Sequence, residues 1–183
     1  MDVHVLVPLK ALDRAKSRLA EVLIPEERAD LMRSLLDHVV GEIRDAGVER
    51  ITVVTAEPLE GYDVWDDRGL AWNDALEAAI EEVVTAPLVG IVSADLPSLR
   101  ADEVEELLSA TPERGIAIAR ALDGGTNAVA IRPPGLVRTH FGELGSAAVH
   151  AGLGVDHLVL DLPGLAFDVD TPEDLARMQA AAC

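Results

Sequence analysis

The sequence predicts an α/β fold: a three-layer α/β/α sandwich around a mostly parallel, Rossmann-like sheet. Three observations carry that prediction. Short apolar runs alternate with helical periodicities along nearly all 183 residues, the pattern of repeated strand–helix units. Hydrophobic residues make up 49% of the chain, yet only two Trp, one Tyr and two Phe are present. The core must therefore be built from Ala, Val, Leu and Ile, which suits a buried parallel sheet covered by helices. Finally, the length fits a single domain, residues 1–183, large enough to bury a full core.

Residues 3–9 are almost continuously apolar, as expected of a central strand. A long helix is predicted over residues 25–46. Leu31, Leu35, Val39 and Ile43 recur every fourth position, and Met32, Leu36 and Val40 widen the stripe. Pro25 suits the first helical turn, Glu26 and Glu27 favour its positive end, and Gly47 suits the stop. Residues 51–55 are β-branched and read as the second strand, whereas residues 61–69 are polar and irregular. A second helix is expected over 74–84, with Leu76, Ala79, Ile80 and Val83 facing inward.

Residues 88–93 form a third apolar strand that runs into Ala94-Asp95-Leu96-Pro97. Helical signals resume over 100–110. Residues 115–119 and 128–131 read as strands, 146–151 as a short helix, and 155–160 as a further strand. The closing helix starts near Thr171-Pro172-Glu173-Asp174: Thr171 is a good N-cap, Pro172 fits the first helical position, and Asp174 stands three residues after the cap.

The chain carries 33 acidic against 15 basic residues, a formal charge of −18. Such a surface repels nucleic acid and anionic membrane at long range, so neither is an expected partner. A dense carboxylate shell with few lysines resembles proteins of salt-loving organisms, although an ordinary acidic protein has the same composition. The single cysteine, Cys183, precludes an intrachain disulfide, and a reducing cytoplasm is expected. The first apolar run ends at Lys10, too short for a signal peptide, and no stretch reaches membrane-spanning length.

Against that acidity one loop stands out. Both lysines of the chain, Lys10 and Lys16, lie with Arg14 and Arg18 directly after the first strand. Cations at the carboxyl end of a parallel strand point to a polyanionic ligand, because ligands of open α/β sheets bind there. Arg14 alone reads as a solvated residue paired with Asp13 or Glu21. The same rule selects residues 94–97, 124–127 and 167–170. Neither G-x-x-x-x-G-K-[ST] nor G-x-G-x-x-G is present, so phosphate must be held by side-chain cations instead of a glycine cradle.

Asp95 ends an apolar strand, a good position for a hard divalent cation, though a turn aspartate has the same surroundings. Asp168 and Asp170 alternate along an extended segment and so face the same side. If Asp95 lies opposite, these carboxylates can hold Mg²⁺ between themselves and phosphate oxygens, although Asp170 also fits an ordinary helix start. Gly124-Gly125-Thr126-Asn127 offers backbone N–H groups, a hydroxyl and an amide to an anion, or a plain hairpin turn. Phe141-Gly142-Glu143-Leu144-Gly145-Ser146 opens a helix whose start would attract anions or merely cap. The five histidines lack metal-ligand spacing. His4 and His38 read as structural, and His150, four residues after Ser146, could reach the same pocket. No G-x-S-x-G elbow is present.

These loops resemble, nearly end to end, the 2-phospho-L-lactate guanylyltransferase family of deazaflavin coenzyme (F-420) biosynthesis. The resemblance rests on Val-Pro-Leu-Lys10 with Lys16-Ser17-Arg18-Leu19, Ala94-Asp95-Leu96-Pro97, Gly125-Thr126-Asn127, Phe141-Gly142 with Ser146, and Asp168-Val169-Asp170-Thr171-Pro172. It implies a nucleotide-sugar-transferase-like fold and the joining of GTP to 2-phospho-L-lactate with release of pyrophosphate. It further implies that Lys16 and Arg18, with Lys10 nearby, hold phosphates, that Lys16 and Asp95 are catalytic, and that Asp95, Asp168 and Asp170 hold Mg²⁺. Thr126, Asn127, Gly145 and Ser146 would contact the phospho-acid. Asn73 would take the place of an asparagine that follows Gly-Leu in relatives, although Ala71-Trp72 intervenes here. A homodimer is usual in the family. Three alternatives remain: phosphoenolpyruvate as the acceptor, a molybdenum-cofactor guanylyltransferase, disfavoured by the glycine-poor first loop, and a non-catalytic nucleotide-sensing module.

Overall fold

The computed structural model describes residues 1–10 and 16–181. Expectations for Asp13, Arg14 and Cys183 lie outside the described residues, as does the inward placement of the Val83 side chain. Seven strands form one sheet: β1 (His4–Pro8), β2 (Arg50–Val54), β3 (Val64–Trp65), β4 (Val89–Val92), β5 (Gly115–Arg120), β6 (Thr126–Arg132) and β7 (Asp156–Leu160). Their spatial order is β3-β2-β1-β4-β6-β5-β7. Four of the six pairings are parallel, and β6 runs antiparallel to both β4 and β5.

Among the described residues six α-helices cover the two faces: α1 (Pro25–Asp45), α2 (Trp72–Val83), α3 (Ala101–Ser109), α4 (Ser146–Ala151), α5 (Pro163–Ala166) and α6 (Pro172–Ala181). Side chains alternate strictly between the faces. Val3, Val5 and Val7 pack with Leu35, Leu36 and Val39 of α1 and Leu107 and Leu108 of α3. Leu6, Ile91, Ile118 and Val129 point the other way, against Leu76 and Ile80 of α2 and Ala147 of α4. This period-two division of one sheet between two helical layers is the three-layer sandwich expected from sequence. Gly90 of β4 is a packing glycine: a Cβ there would come within 3.1 Å of Leu108 Cδ2 and 3.2 Å of Val5 Cγ2.

Local capping follows the sequence signals. At the start of α1 the Glu27 carboxylate accepts the Ile24 N–H at 2.9 Å, next to Pro25. At α6 the box is reciprocal: Asp174 accepts the Thr171 N–H at 2.8 Å, and the Asp174 N–H reaches Thr171 Oγ1 at 3.3 Å. Three elements have no counterpart in the sequence pattern. They are β3, the 3-10 turn Ser17–Glu21, and α5, each too short to leave a periodicity.

The topology places the site. β1 neighbours both β2 and β4, so the chain leaves β1 in one direction and returns on its other side at β4. The crevice between their carboxyl ends is the switch point at which such sheets bind ligands. Because β6 is antiparallel to β4, its amino-terminal residues lie at this same edge. Val92 pairs with Ala128, and the Ser93 N–H donates to Asn127 O at 2.9 Å. The segment before α6 is tied in by a bond from Val169 N to Asp95 O of 3.3 Å.

Candidate active site

A cavity of about 590 Å³ opens at that edge. Lys10, Lys16 and Arg18 line it from the loop after β1, Ser93 and Asp95 from the segment after β4, Gly125, Thr126 and Asn127 from the β5–β6 hairpin, and Asp168 and Asp170 from the segment before α6. Trp72, Gly142 and Ser146 complete the wall. The loops chosen by the strand-end rule therefore converge.

Lys16 lies at the centre. Its Nζ donates to Asp170 Oδ1 at 2.8 Å and is also bonded to Asp95 Oδ2. The side chain is only 5% exposed. Burial works against an ammonium, but the charges and hydrogen bonds of Asp95 and Asp170 outweigh it and hold the Lys16 pKa above its ordinary value. The backbone at Lys16 is left-handed, with φ 53°, a strained conformation for a residue with a side chain, which these ion pairs help to fix. Arg18 stands 3.6 Å from Asp170 Oδ2 and is largely exposed.

Oxygens of Asp95, Asp168 and Asp170, one from each, all lie within 4.8 Å of one another. Asp168 accepts a hydrogen bond from Asn127 Nδ2 at 3.1 Å. Burial first, and then the Asp95 and Asp170 charges, push its pKa up to about 6, against the pull of Asn127 and Lys16. An oxygen-only donor set on converging segments fits a hard divalent cation.

On the opposite wall a polar chain is buried. Ser146 Oγ lies 3.0 Å from Thr126 Oγ1, which lies 3.0 Å from His150 Nδ1, and His150 Nε2 accepts the His140 N–H at 3.0 Å. Burial, followed by the influence of His140, lowers the His150 pKa to about 4. Side-chain cations, clustered carboxylates and buried hydroxyls thus line one cavity.

Residues 3–180 match the family model described as "Guanylyl transferase CofC like". The chain belongs to this guanylyl transferase family. A phosphoenolpyruvate guanylyltransferase of Sphaerobacter thermophilus is 40% identical over 197 residues, covering 100% of this chain and 95% of that protein. A 2-phospho-L-lactate guanylyltransferase of Haloarcula marismortui is 37% identical over 169 residues, covering 89% and 79%. Among solved structures, a nucleotidyl transferase from Methanothermobacter superposes with a TM-score of 0.74 at 18% identity, covering 98% of this chain and 96% of that one. That likeness concerns the fold.

Within this guanylyl transferase framework, most of the residues singled out from sequence meet at the cavity: Lys10, Lys16, Arg18, Asp95, Thr126, Asn127, Ser146, Asp168 and Asp170. Two stand back from it. Asn73 clamps the backbone of Phe141 from both sides, its Nδ2 donating to Phe141 O at 3.1 Å and its Oδ1 accepting the Phe141 N–H at 2.8 Å. In this structure it positions the 141–146 loop. Gly145 caps α4 with φ 70°, a conformation that glycine adopts without strain, and does not line the cavity. In the hairpin the Gly125 N–H is taken by Asp123 Oδ1 at 2.7 Å and the Gly124 N–H by Ala121 O at 3.0 Å, so both are engaged within the turn. His4 is structural, bonded to Thr52 Oγ1 at 2.9 Å in the sheet.

Sequence reasoning misses Trp72. It opens α2, lines the cavity and lies under Lys10, whose Nζ is 5.3 Å from the ring centroid. Its only sequence signal is its rarity. No helix among the described residues is long and apolar enough to cross a membrane.

Proposed function

We propose that this chain transfers the guanylyl group of GTP to the phosphate of a small phospho-carboxylic acid, with phosphoenolpyruvate the favoured acceptor. The observation that carries this reading is the lysine–carboxylate cluster at the switch point, in a chain 40% identical to a phosphoenolpyruvate guanylyltransferase across its whole length. A second relative, from Rubrobacter xylanophilus, has the same name and the same 40% identity. The 37% relative from Haloarcula keeps 2-phospho-L-lactate, which the sequence resemblance puts first, as the second acceptor.

In the reaction an acceptor phosphate oxygen attacks the α-phosphorus of GTP. The bond from that phosphorus to the α–β bridging oxygen breaks, and its electron pair leaves on pyrophosphate. This chemistry needs in-line positioning and charge neutralisation more than a covalent nucleophile. Lys16 and Arg18 neutralise the triphosphate. Asp95, Asp168 and Asp170 would hold Mg²⁺, which would supply further charge neutralisation at the phosphates. Asn127 orients Asp168 through its 3.1 Å hydrogen bond. Thr126 and Ser146 offer hydroxyls to the acceptor. The requirement for GTP supports a cytoplasmic setting. Exposed Leu158 and Val159 on the edge strand β7 support a homodimer.

The test is a substrate panel read by pyrophosphate release. Phosphoenolpyruvate and phospholactate are each paired with GTP, ATP, CTP and UTP, with Mg²⁺, at low and high salt; the high-salt arm serves a surface as acidic as those of salt-loving proteins. Turnover is expected with GTP and phosphoenolpyruvate. Tight GTP binding with no turnover under every condition would instead identify a nucleotide-sensing module.

A further inference from the structure

His150 is fully buried behind the cavity wall, its ring edge-on to His140 at 5.6 Å and Phe141 at 5.8 Å. The backbone N–H of His140 donates to Nε2 at 3.0 Å, which requires a lone pair on that nitrogen. A neutral imidazole then carries its proton on Nδ1. Nδ1 faces Thr126 Oγ1 at 3.0 Å. With Nδ1 protonated, Thr126 accepts from the ring and cannot donate to it.

The consequence is a proton count. Thr126 and Ser146 have two hydroxyl protons and share one hydrogen bond of 3.0 Å. One proton is used between them, and the other has no acceptor among the described residues. Both residues line the cavity. With the opposite tautomer Thr126 would donate back to the ring, and the pair would turn lone pairs toward the ligand.

We propose that His150 is a positioning residue: by keeping its proton on Nδ1 it makes the Thr126–Ser146 pair a net hydrogen-bond donor into the cavity, selecting an acceptor-only anionic oxygen of the phospho-acid. This rests on the proposed reaction for the identity of the ligand, but the tautomer does not.

Two measurements test it. Nitrogen-15 NMR of the imidazole in the intact wild-type protein at neutral pH is expected to show Nδ1 protonated and Nε2 bare; the reverse pattern overturns the proposal. Steady-state kinetics then compare His150→Gln with His150→Asn. The glutamine amide reaches the Nε2 position and loses the donor toward Thr126, whereas the asparagine amide stands near Nδ1 and keeps it. His150→Gln should raise KM for the phospho-acid about tenfold, the scale of one hydrogen bond to a charged group, with KM for GTP unchanged. His150→Asn should restore most of the loss. An unchanged phospho-acid KM in His150→Gln, or an equal rise for both substrates, overturns the proposal.

If wild-type protein turns over neither phospho-acid, the proposed reaction fails, and calorimetric binding of inorganic phosphate decides this inference instead. Weaker binding in His150→Gln than in wild type upholds it, and equal binding overturns it. Should the variants not fold, the wild-type tautomer alone decides.

Discussion

Lys16 Nζ bridges Asp95 and Asp170, 2.8 Å from the latter, although 154 residues of sequence separate Lys16 from Asp170. One ammonium thus knits together the first loop, the end of β4 and the segment before α6. Removing one partner of a buried ion pair leaves the others uncompensated. Lys16→Met should therefore lower pyrophosphate release by about 10²–10³-fold, the scale of losing a preorganised charge at a developing anion. It should also destabilise the metal-free protein by roughly 2 kcal/mol, a figure reduced because Asp170 is half exposed. Single-turnover assays and urea unfolding check the two effects. Full turnover in the variant would remove Lys16 from the chemistry.

The same carboxylates that hold Lys16 are the proposed Mg²⁺ ligands, so cation and ammonium share one anionic centre. Asp95→Asn should abolish turnover while leaving the fold intact, because Asn retains the side-chain shape. Asp170→Asn should raise the Mg²⁺ concentration needed for half-maximal rate by about tenfold, as one charged ligand becomes neutral. Chelation should silence the wild type and Mg²⁺ should restore it. Activity that persists in chelator, with all divalent ions removed, would refute a metal-dependent reaction.

How much of this is legible in the sequence varies with the physics of each element. The stripe of Leu35, Leu36, Val39 and Ile43 announces α1, and the observed span Pro25–Asp45 ends one residue short of the expected one. The loops after β1 and β4 can be chosen because strand ends bind ligands in any open α/β sheet. The antiparallel course of β6 cannot be read, since residues 128–131 are apolar throughout and give no direction; only the short hairpin at Gly124 hints at it. Yet that reversal brings Thr126 and Asn127 to the site. Asn73 shows the other limit: a polar residue near a site reads alike whether it faces a ligand or, as here, clamps the Phe141 backbone. The spacing of Ser146 and His150 brings the ring near the pocket, but its partners Thr126 and His140 cannot be read, because they come from β6 and a loop brought together only by folding.

Asp168 and His150 make opposite contributions to the pH dependence of stability. The folded-state pKa of Asp168, about 6, lies above its ordinary 3.8. Ionised Asp168 therefore opposes folding above pH 6, and this penalty is relieved as pH falls from 6 toward 3.8. The folded-state pKa of His150, about 4, lies below its ordinary 6.5. Its contribution is complete above 6.5 and is lost as pH falls toward 4. Each amounts to roughly 3 kcal/mol across its window, so the two largely cancel in wild type. Asp168→Asn keeps an oxygen for Asn127 and removes one side of the balance. In metal-free buffer it should be more stable than wild type at pH 7 by up to about 3 kcal/mol, with the advantage vanishing near pH 4. A stability difference that stays constant over this range in urea titrations would contradict the assignment.

Gly164 and Gly41 test the packing behind the site from opposite directions. Gly164 lies in α5, pressed against α3: its N–H donates to Glu103 Oε1 at 2.7 Å, and an added Cβ would overlap Glu103 Oε2 and the Ser98 carbonyl oxygen. α5 leads through Phe167 to Asp168, so a shift here is passed to the carboxylate cluster. Gly164→Ala should cost about 2–3 kcal/mol, the range for overpacking a buried contact, and lower Tm by roughly 5–10 °C for a chain of this size. Gly41, in the middle of α1, has open space on its outer side, with nothing within 4 Å of where an alanine methyl would sit. Gly41→Ala should stabilise by about 0.5–1 kcal/mol, since alanine loses less backbone freedom in a helix than glycine. Calorimetric melts of the two variants should therefore move in opposite directions. A Gly164→Ala protein as stable as wild type would mean that α5 and α3 do not pack this closely, and with that the placement of Asp168 would lose its support.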